Sequence, residues 1–272
     1  MAHAPKKSKV SGVKVMWRRV VRGNITGFVR GDAPRVVLVH GFAGAPWDWC
    51  RILTRLGPEV PVALIEVPGH GPRGRAPHKS WASVSEGLLD WLTDAKLAVG
   101  YSLGGRLLVG ALAMRDTALS SLILGGHAGM NAAHRPARKV WDLEQATLLK
   151  QESMTQFRQR WGALPLLQRV HPDTDAETAR LERGRGKLTT NGLSWAMTEL
   201  GSGSMPDVLD ALMTRNHRLI WAYGDQDTKY RDLAHHLAQQ HTQWKHYEIT
   251  SSGHACHLDA PDQIASLLRS LL

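Results

Sequence analysis

Residues Gly100–Gly104 (GYSLG) have the pattern G-x-S-x-G and lie between a short apolar run, Lys96–Gly100, and an apolar stretch that opens with Gly104. At a strand-to-helix turn this pattern is typical of a nucleophile elbow, which presents the serine hydroxyl at the carboxyl edge of a sheet. Glycines are needed there because the turn is tight and the helix begins close to the strand. The pattern alone is weak evidence, so the prediction of Ser102 as a nucleophile depends on the rest of the chain.

The partners that a serine nucleophile needs are found later in the sequence. A serine hydroxyl reacts only when a histidine accepts its proton, and that histidine needs a carboxylate to hold its tautomer. Asp227 follows a predicted strand at Leu219–Tyr223, and His254 follows another at Trp244–Thr250. We therefore predict Ser102, Asp227 and His254 as the catalytic residues.

A second candidate lies close in sequence to each of Asp227 and His254. The pattern G-x-x-D over Gly224–Asp227 favours Asp227 as the acid; Asp225 is the alternative, and both could be turn formers because Gly-Asp runs are common in turns. His254 lies in a loop directly after a glycine. His257 is expected at the start of the last helix, as a structural or supporting group.

An oxyanion hole is predicted from the β-branched run Val36–Phe42 (VVLVHGF), which reads as a strand ending in His-Gly. In proteins with a nucleophile elbow, backbone N–H groups after such a strand and after the serine stabilise the developing negative charge. These donors would be the N–H groups of Phe42 and Leu103.

The order of elements predicts the architecture. Strand-like and helix-like runs alternate up to residue 126 and resume at His217–Tyr223, which predicts a mostly parallel sheet with helices on both faces. Residues 127–205 show helical periodicity, several Trp and Arg, and no clear strand. We therefore predict a core, 1–126 and 206–272, and a helical cap, 127–205, that shapes the pocket and excludes water.

The predicted elements can be given individually. The strands are Lys14–Val21, Ile25–Arg30, Val36–His40, Val62–Val67, Leu97–Tyr101, Leu122–Gly125, His217–Tyr223 and Trp244–Thr250, and the helices outside the cap are Trp47–Leu56, Ser83–Leu92, Gly104–Met114 and Pro261–Leu271. Gly23-Asn24 between the first two strands indicates a hairpin.

Charge is distributed unevenly. The formal net charge is +10, and the first 22 residues carry seven Lys or Arg and no acidic residue. A basic arm can bind nucleic acid or anionic lipid, but no nucleic-acid-binding motif accompanies it. We expect residues 1–12 to be a solvated, partly disordered tail, no specific nucleic acid partner, and a preference for anionic small-molecule substrates.

Composition and sequence patterns argue against a membrane-spanning protein, a secreted protein and a metalloprotein. No stretch of 18 apolar residues is present, so no membrane span is expected. The N-terminus lacks the apolar segment of a secretory signal. Cys50 and Cys256 lie far apart without metal-ligand spacing, which indicates unpaired thiols in the cytoplasm. We expect neither a metal nor another cofactor.

Several motifs together resemble the 2-succinyl-6-hydroxy-2,4-cyclohexadiene-1-carboxylate synthase (MenH) family, within the α/β-hydrolase superfamily. They are LVHGF at 38–42, VPGHG at 67–71, GYSLGGR at 100–106, GGHAG at 125–129, QRWGALPLL at 159–167 and GHACHLDAP at 253–261. The resemblance covers residues 36–272. It implies an α/β-hydrolase fold with a helical cap inserted before the acid-bearing strand.

The resemblance also implies an activity. Members of the family eliminate pyruvate from a cyclohexene polycarboxylate in menaquinone biosynthesis, with the triad acting as a base and without an acyl-enzyme. By resemblance, Arg106 and Arg135 would bind carboxylates, and Tyr101 and Trp161 would line the pocket. Arg138 fits a solvated helix face equally well, and Trp161 fits a core position equally well.

The chain departs from the family pattern at several positions. Glu66-Val67 stands where Asp-Leu is usual, Gly162 where Tyr is usual, and Leu167 where Phe is usual. The resemblance also leaves open which cap cation faces the pocket; the candidates are Arg183, Arg185 and Lys187. These departures bear on which substrate the protein binds and do not affect the predicted fold.

Two other functions compete with the lyase. A carboxylesterase or C–C bond hydrolase with an acyl-enzyme on Ser102 would use the same three residues. A non-catalytic binding protein would need none of them, so their presence argues against that class. The sequence does not indicate an oligomeric state.

Overall fold

The computed structural model describes residues 16–72 and 80–272. Among these residues eight strands form one sheet: β1 (Arg18–Arg22), β2 (Ile25–Arg30), β3 (Val36–Val39), β4 (Val62–Glu66), β5 (Leu97–Tyr101), β6 (Ser120–Leu124), β7 (Arg218–Gly224) and β8 (Lys245–Ile249). Their order across the sheet is β1-β2-β4-β3-β5-β6-β7-β8. The two pairings that involve β2 are antiparallel and all others are parallel.

The hairpin between β1 and β2 is confirmed. Gly23 and Asn24 have φ values of 50° and 62°, and two consecutive positive φ angles are those of a two-residue type I′ turn. β1 begins at Arg18 and not at Lys14. Residues 14 and 15 and the basic tail lie outside the described residues.

The described helices alternate with the strands of the core and fill the insertion. They are α1 (Cys50–Leu56), α2 (Trp81–Leu92), α3 (Leu103–Met114), α4 (Arg135–Gln151), α5 (Met154–Gly162), α6 (Asp175–Arg185), α7 (Thr190–Leu200), α8 (Leu209–Met213), α9 (Thr228–Gln240), α10 (Cys256–Asp259) and α11 (Pro261–Leu271). The first begins as a 3₁₀ turn at Pro46–Trp49. α2 starts earlier than predicted because Ser80 caps it, accepting a hydrogen bond from the Ser83 N–H.

The sheet separates two apolar clusters, as strand periodicity requires. In β3, Val37 and Val39 pack in a cluster with α2 and α3, whereas Val36 and Leu38 pack in a cluster with α1 and α11. All four valine and leucine side chains are fully buried. Helices therefore cover both faces, and the strands bury side chains on both sides, as in parallel sheets of α/β proteins.

Residues 127–205, called the cap below, contain α4 to α7 and no strand. α4 packs against α7, and the Ser194 hydroxyl of α7 donates a hydrogen bond to the Ala146 carbonyl of α4 at 2.7 Å. Ser153 and Thr174 cap α5 and α6 through their hydroxyls. Over the described part of the chain, no helix has the length and hydropathy needed to cross a bilayer.

Candidate active site

Ser102 lies on the sharp turn between β5 and α3. Its φ of 50° and ψ of −109° are unfavourable for a residue with a side chain, and such strain is common at functional turns. A Cβ at Gly104 would collide with the carbonyl oxygens of Val39 and His40. Glycine therefore allows α3 to begin directly against the end of β3, which leaves the Ser102 side chain at the carboxyl edge of the sheet.

The three predicted catalytic side chains meet at this edge. His254 Nε2 is 3.1 Å from Ser102 Oγ, and His254 Nδ1 is 2.7 Å from Asp227 Oδ2. The His254 and Asp227 side chains are each 1% exposed. The partners assign a tautomer in which Nδ1–H donates to the carboxylate and Nε2 accepts from the serine hydroxyl. A histidine held in this way can remove the serine proton.

The surroundings fix the orientation of His254. β7 and β8 are neighbours in the sheet, so the loops that carry Asp227 and His254 leave it side by side. The Tyr230 ring stacks on the imidazole at 4.9 Å. The Gly125 backbone also lies close to the imidazole, since a Cβ at this residue would be 2.6 Å from the His254 ring. A tyrosine ring and a glycine backbone thus both pack against the imidazole.

Asp225, the alternative candidate for the catalytic acid, binds backbone N–H groups of a neighbouring loop. Its carboxylate accepts hydrogen bonds from the N–H groups of Ser251 at 2.8 Å and Ser252 at 2.9 Å. Burial acts to raise the pKa of Asp225, but these N–H donors hold it below the ordinary value. Asp225 therefore orders the loop that leads to His254 and does not contact the imidazole.

His257 was the alternative candidate for the catalytic base. The His257 ring packs against Tyr101 at 4.2 Å and Trp49 at 4.9 Å. Burial lowers the pKa of His257 well below its usual value, so the ring is neutral. It lies in α10, the short helix before α11, and not at the start of the last helix as expected.

Two buried histidines brace the predicted oxyanion loop. His70 Nε2 accepts the Ala43 N–H at 3.0 Å, and His40 Nε2 accepts the Val67 N–H at 3.1 Å. Burial lowers the pKa of His40 to about 4 and that of His70 to about 3, so both rings are neutral acceptors at neutral pH.

Phe42 and Leu103 lie where the oxyanion hole was predicted. Both line the same cavity as Ser102 and His254, Leu103 as the first residue of α3 and Phe42 directly after His40-Gly41. The Phe42 ring also contacts Trp161 of the cap at 5.1 Å. The loop that would supply one N–H donor is therefore packed against the cap.

The cavity has a volume of about 790 Å³ and lies between the core and the cap. Its core side includes Ser102 and His254, and its cap side includes Trp161, Met197 and Leu200. Four cationic side chains also line it: Arg106, Arg138, Arg169 and Lys229. An apolar cleft with converging charged groups is typical of a small-molecule site.

Arg106 is the most deeply buried of these cations. It is 7% exposed, and its guanidinium donates a hydrogen bond to the Leu200 carbonyl at 3.1 Å. No carboxylate of the described residues forms an ion pair with it. Burial lowers the pKa of Arg106 to about 10, so it remains charged at neutral pH. A buried, unpaired guanidinium complements an anionic ligand.

The structure places Arg138, and not Arg135, at the large cavity. Arg135 is the first residue of α4 and lines a separate surface depression with Lys139 and Pro206. Arg138, one turn later, lines the large cavity. Its Nε donates to Asp142 Oδ1 at 2.8 Å, and its guanidinium lies over the Trp141 ring. The two arginines lie three residues apart in α4 but line different spaces.

The remaining predicted contacts lie around a second chamber of about 300 Å³. Trp161 lines both spaces, whereas Tyr101 lines only the second. Of the three open cap cations, Arg185 lines the second chamber and is paired with Asp48 at 2.8 Å. Arg183 and Lys187 are exposed.

Sequence reasoning missed Arg169 and Lys229. Lys229 follows the acid by two residues, which is a local signal for proximity to the site. Arg169 gives no such signal, because its partner Asp259 is 90 residues away in the chain. Within residues 16–72 and 80–272, no group of three or more His, Cys, Asp or Glu could hold a metal ion. Both cysteines are buried and unpaired.

Comparison with known proteins identifies the relatives of this chain and its fold. The chain is 28% identical over 246 residues to 2-succinyl-6-hydroxy-2,4-cyclohexadiene-1-carboxylate synthase of Enterobacter sp. (strain 638), covering 88% of this chain and 92% of that protein. The structure of MenH from S. aureus superposes with a TM-score of 0.77 at 19% identity, covering 94% of this chain and 97% of the other. An esterase from Exiguobacterium antarcticum superposes with a TM-score of 0.71 at 14% identity, covering 94% and 98%.

The two structural likenesses concern the fold. The sequence comparison also identifies the family. Residues 36–267, which include the cap and most of the core, match the alpha/beta hydrolase family. This range contains Ser102, Asp227 and His254. The chain therefore belongs to the alpha/beta hydrolase family, within which it resembles the MenH synthases.

Proposed function

We propose that the protein is a MenH-like lyase that eliminates pyruvate from a cyclohexene polycarboxylate in menaquinone biosynthesis, with Ser102, His254 and Asp227 acting as the base. The observation that carries the proposal is the buried, unpaired guanidinium of Arg106 in the wall of the cavity that also contains Ser102 and His254. A site for neutral esters has no need of such a charge, because an unpaired buried ion costs free energy until an anion binds it.

The chemistry of the similar enzyme agrees with this charge. Its product, by name, has a carboxylate on the ring and another on the succinyl group. The departing pyruvate would add a third. Arg106 and Arg138 would bind two of these groups, since a guanidinium fork matches a carboxylate bidentately.

The triad geometry suits proton abstraction. His254 Nε2 would take the Ser102 proton, and Ser102 Oγ would take a proton from a ring carbon of the substrate. The electron pair of that C–H bond forms a ring double bond, and the C–O bond to the pyruvyl group breaks. Pyruvate leaves as its enolate and is then protonated. The Phe42 and Leu103 N–H groups would stabilise the negative charge that develops on a carbonyl oxygen.

The proposed elimination requires neither a metal nor an organic cofactor. We also propose that the protein is located in the cytoplasm. The alternative is a carboxylesterase or C–C bond hydrolase, which is supported by the likeness of the fold to an esterase. It differs in requiring an acyl-enzyme on Ser102.

A direct assay separates the two reactions. The purified protein is mixed with the pyruvate-bearing precursor of 2-succinyl-6-hydroxy-2,4-cyclohexadiene-1-carboxylate, and pyruvate is measured with lactate dehydrogenase. We expect release by the wild type and a loss of several orders of magnitude in Ser102→Ala. Hydrolysis of neutral esters without pyruvate release would establish the esterase reaction instead.

Arg106→Ala tests the role of the buried charge. A charge-assisted hydrogen bond contributes about 1.5–3 kcal/mol, so kcat/KM for the anionic substrate should fall by about tenfold to a hundredfold. Turnover of a small neutral ester, where it occurs, should change far less. Equal losses on both substrates would show that Arg106 only supports the elbow.

A further inference from the structure

Lys229 is a cation beside the triad that the proposed reaction does not yet use. It lies in the first turn of α9, two residues after Asp227, and lines the same cavity as Ser102 and His254. Its ammonium lies 5.2 Å from the centroid of the Tyr230 ring, which in turn stacks on His254. Among the described residues it forms no ion pair with a carboxylate.

Lys229 shares its wall of the cavity with two other cations. Burial and then the positive charge of Arg138 lower the pKa of Lys229, and the charge of Arg106 lowers it further. All three side chains line the same cavity. The charge of Asp227 raises this pKa in part, but Asp227 is already bonded to His254, and Asp142 is paired with Arg138.

The three cations differ in depth. Arg106 is buried, the Arg138 side chain is 29% exposed, and Lys229 is exposed. The three cations therefore range from Arg106, which is shielded from water, to Lys229, which is in contact with it. A ligand with a single carboxylate can satisfy the buried end, but a second negative group is needed to balance the charge of Lys229.

We propose that Lys229 binds a second carboxylate of the ligand, so that the cavity recognises a dicarboxylate rather than a monocarboxylate. This inference rests on the proposed function, since it assigns one carboxylate of the substrate to Arg106 and another to Lys229. Lysine suits the outer position because its ammonium is a hydrated point charge on a flexible chain. Lys229 is thus a specificity-determining residue for the anionic substrate.

The test uses binding and not turnover. Dissociation constants of glutarate and of butyrate, which have similar chain length and differ by one carboxylate, are measured by isothermal titration calorimetry at fixed ionic strength. The wild type should prefer glutarate by about tenfold or more. Lys229→Met should remove this preference while leaving butyrate binding unchanged, and Lys229→Arg should retain most of it.

A matched control distinguishes the loss of a charge at the cavity from a lower net charge of the whole protein. Lys245 is exposed at the start of β8, so Lys245→Met removes the same charge away from the cavity and should leave both constants unchanged. The proposal is overturned if Lys229→Met weakens both probes equally, if it weakens neither, or if the wild type binds glutarate no better than butyrate.

A kinetic measurement distinguishes this inference from the proposed function. In the pyruvate assay, Lys229→Met should raise KM by about tenfold or more and change kcat much less, because it removes binding that ground state and transition state share. Pyruvate release with no glutarate preference would refute the Lys229 subsite alone. A glutarate preference that depends on Lys229, without pyruvate release, would refute the lyase alone.

Discussion

The carboxylate of Asp259 joins Arg169 of the cap to the loop that carries His254. Arg169 Nε donates to Asp259 Oδ1 at 2.6 Å, and the Gly253 N–H donates to Asp259 Oδ2 at 3.0 Å. The Asp259 side chain is 0% exposed and the Arg169 side chain 18% exposed. Because Gly253 directly precedes His254, this pair couples the position of the cap to the position of the imidazole.

Asp259→Ala should therefore destabilise the protein and slow its reaction. Removing one partner of a buried ion pair costs about 3–5 kcal/mol, and we expect a loss at the lower end of this range because Asp173 still pairs with Arg169 at 2.9 Å. The free energy of unfolding in urea measures this loss. The matched control is Asp262→Ala, which breaks the exposed pair with Arg55 and should cost far less, because solvent-exposed ion pairs contribute little to stability. Similar losses in both variants would contradict the coupling role.

The acid of the triad can be tested by a pair of neighbouring variants. Asp227→Asn should lower kcat by roughly 10⁴-fold, the loss seen when the corresponding aspartate of a serine protease is replaced. Asp225→Asn should act much less, since Asp225 only orders the loop at Ser251 and Ser252. Pyruvate release measures both. A larger loss in Asp225→Asn would reverse the assignment of the acid.

The different positions of Arg135 and Arg138 give a second matched pair. Arg138→Ala should lower kcat/KM for the anionic substrate by about tenfold or more, because Arg138 lines the cavity. Arg135→Ala removes the same charge three residues away and should leave kcat/KM within about twofold, as surface substitutions usually do. Steady-state kinetics decides between them, and an equal loss in both would restore Arg135 to the site.

Stability should fall on acidification because buried histidines resist protonation. His40 and His70 have folded-state pKa values of about 4 and about 3, against 6.5 when unfolded. Below pH 6.5 the unfolded chain takes up protons that the folded protein does not, so the folded state loses about 1.4 kcal/mol per pH unit for each histidine. The loss continues until pH reaches the folded value.

Urea unfolding at pH 7.5, 6 and 5 measures this slope. In His70→Gln one of the two groups is gone, so the decline between pH 6 and 5 should be shallower by about 1.4 kcal/mol. An unchanged slope would show that His70 is protonated in the folded state. That result would also contradict its role as the acceptor for the Ala43 N–H.

Local sequence signals determined much of the fold. Strands β2 and β5 and helix α11 have the bounds predicted from periodicity and flanking turns. The hairpin at Gly23-Asn24 and the elbow at Ser102 were also predicted, because each depends on conformational preferences within a few residues. Ser102, Asp227 and His254 each follow a strand, which made their meeting at one sheet edge predictable.

Tertiary packing decided what the local patterns left open. Asp227 rather than Asp225 reaches His254, and Arg138 rather than Arg135 lines the cavity, although each pair lies within one turn or loop. The Arg169–Asp259 pair spans 90 residues. Such choices depend on the direction of a side chain after helices and strands have packed. The sequence alone determined which elements form and which residue types the site contains, whereas their packing decided which of those residues face the cavity.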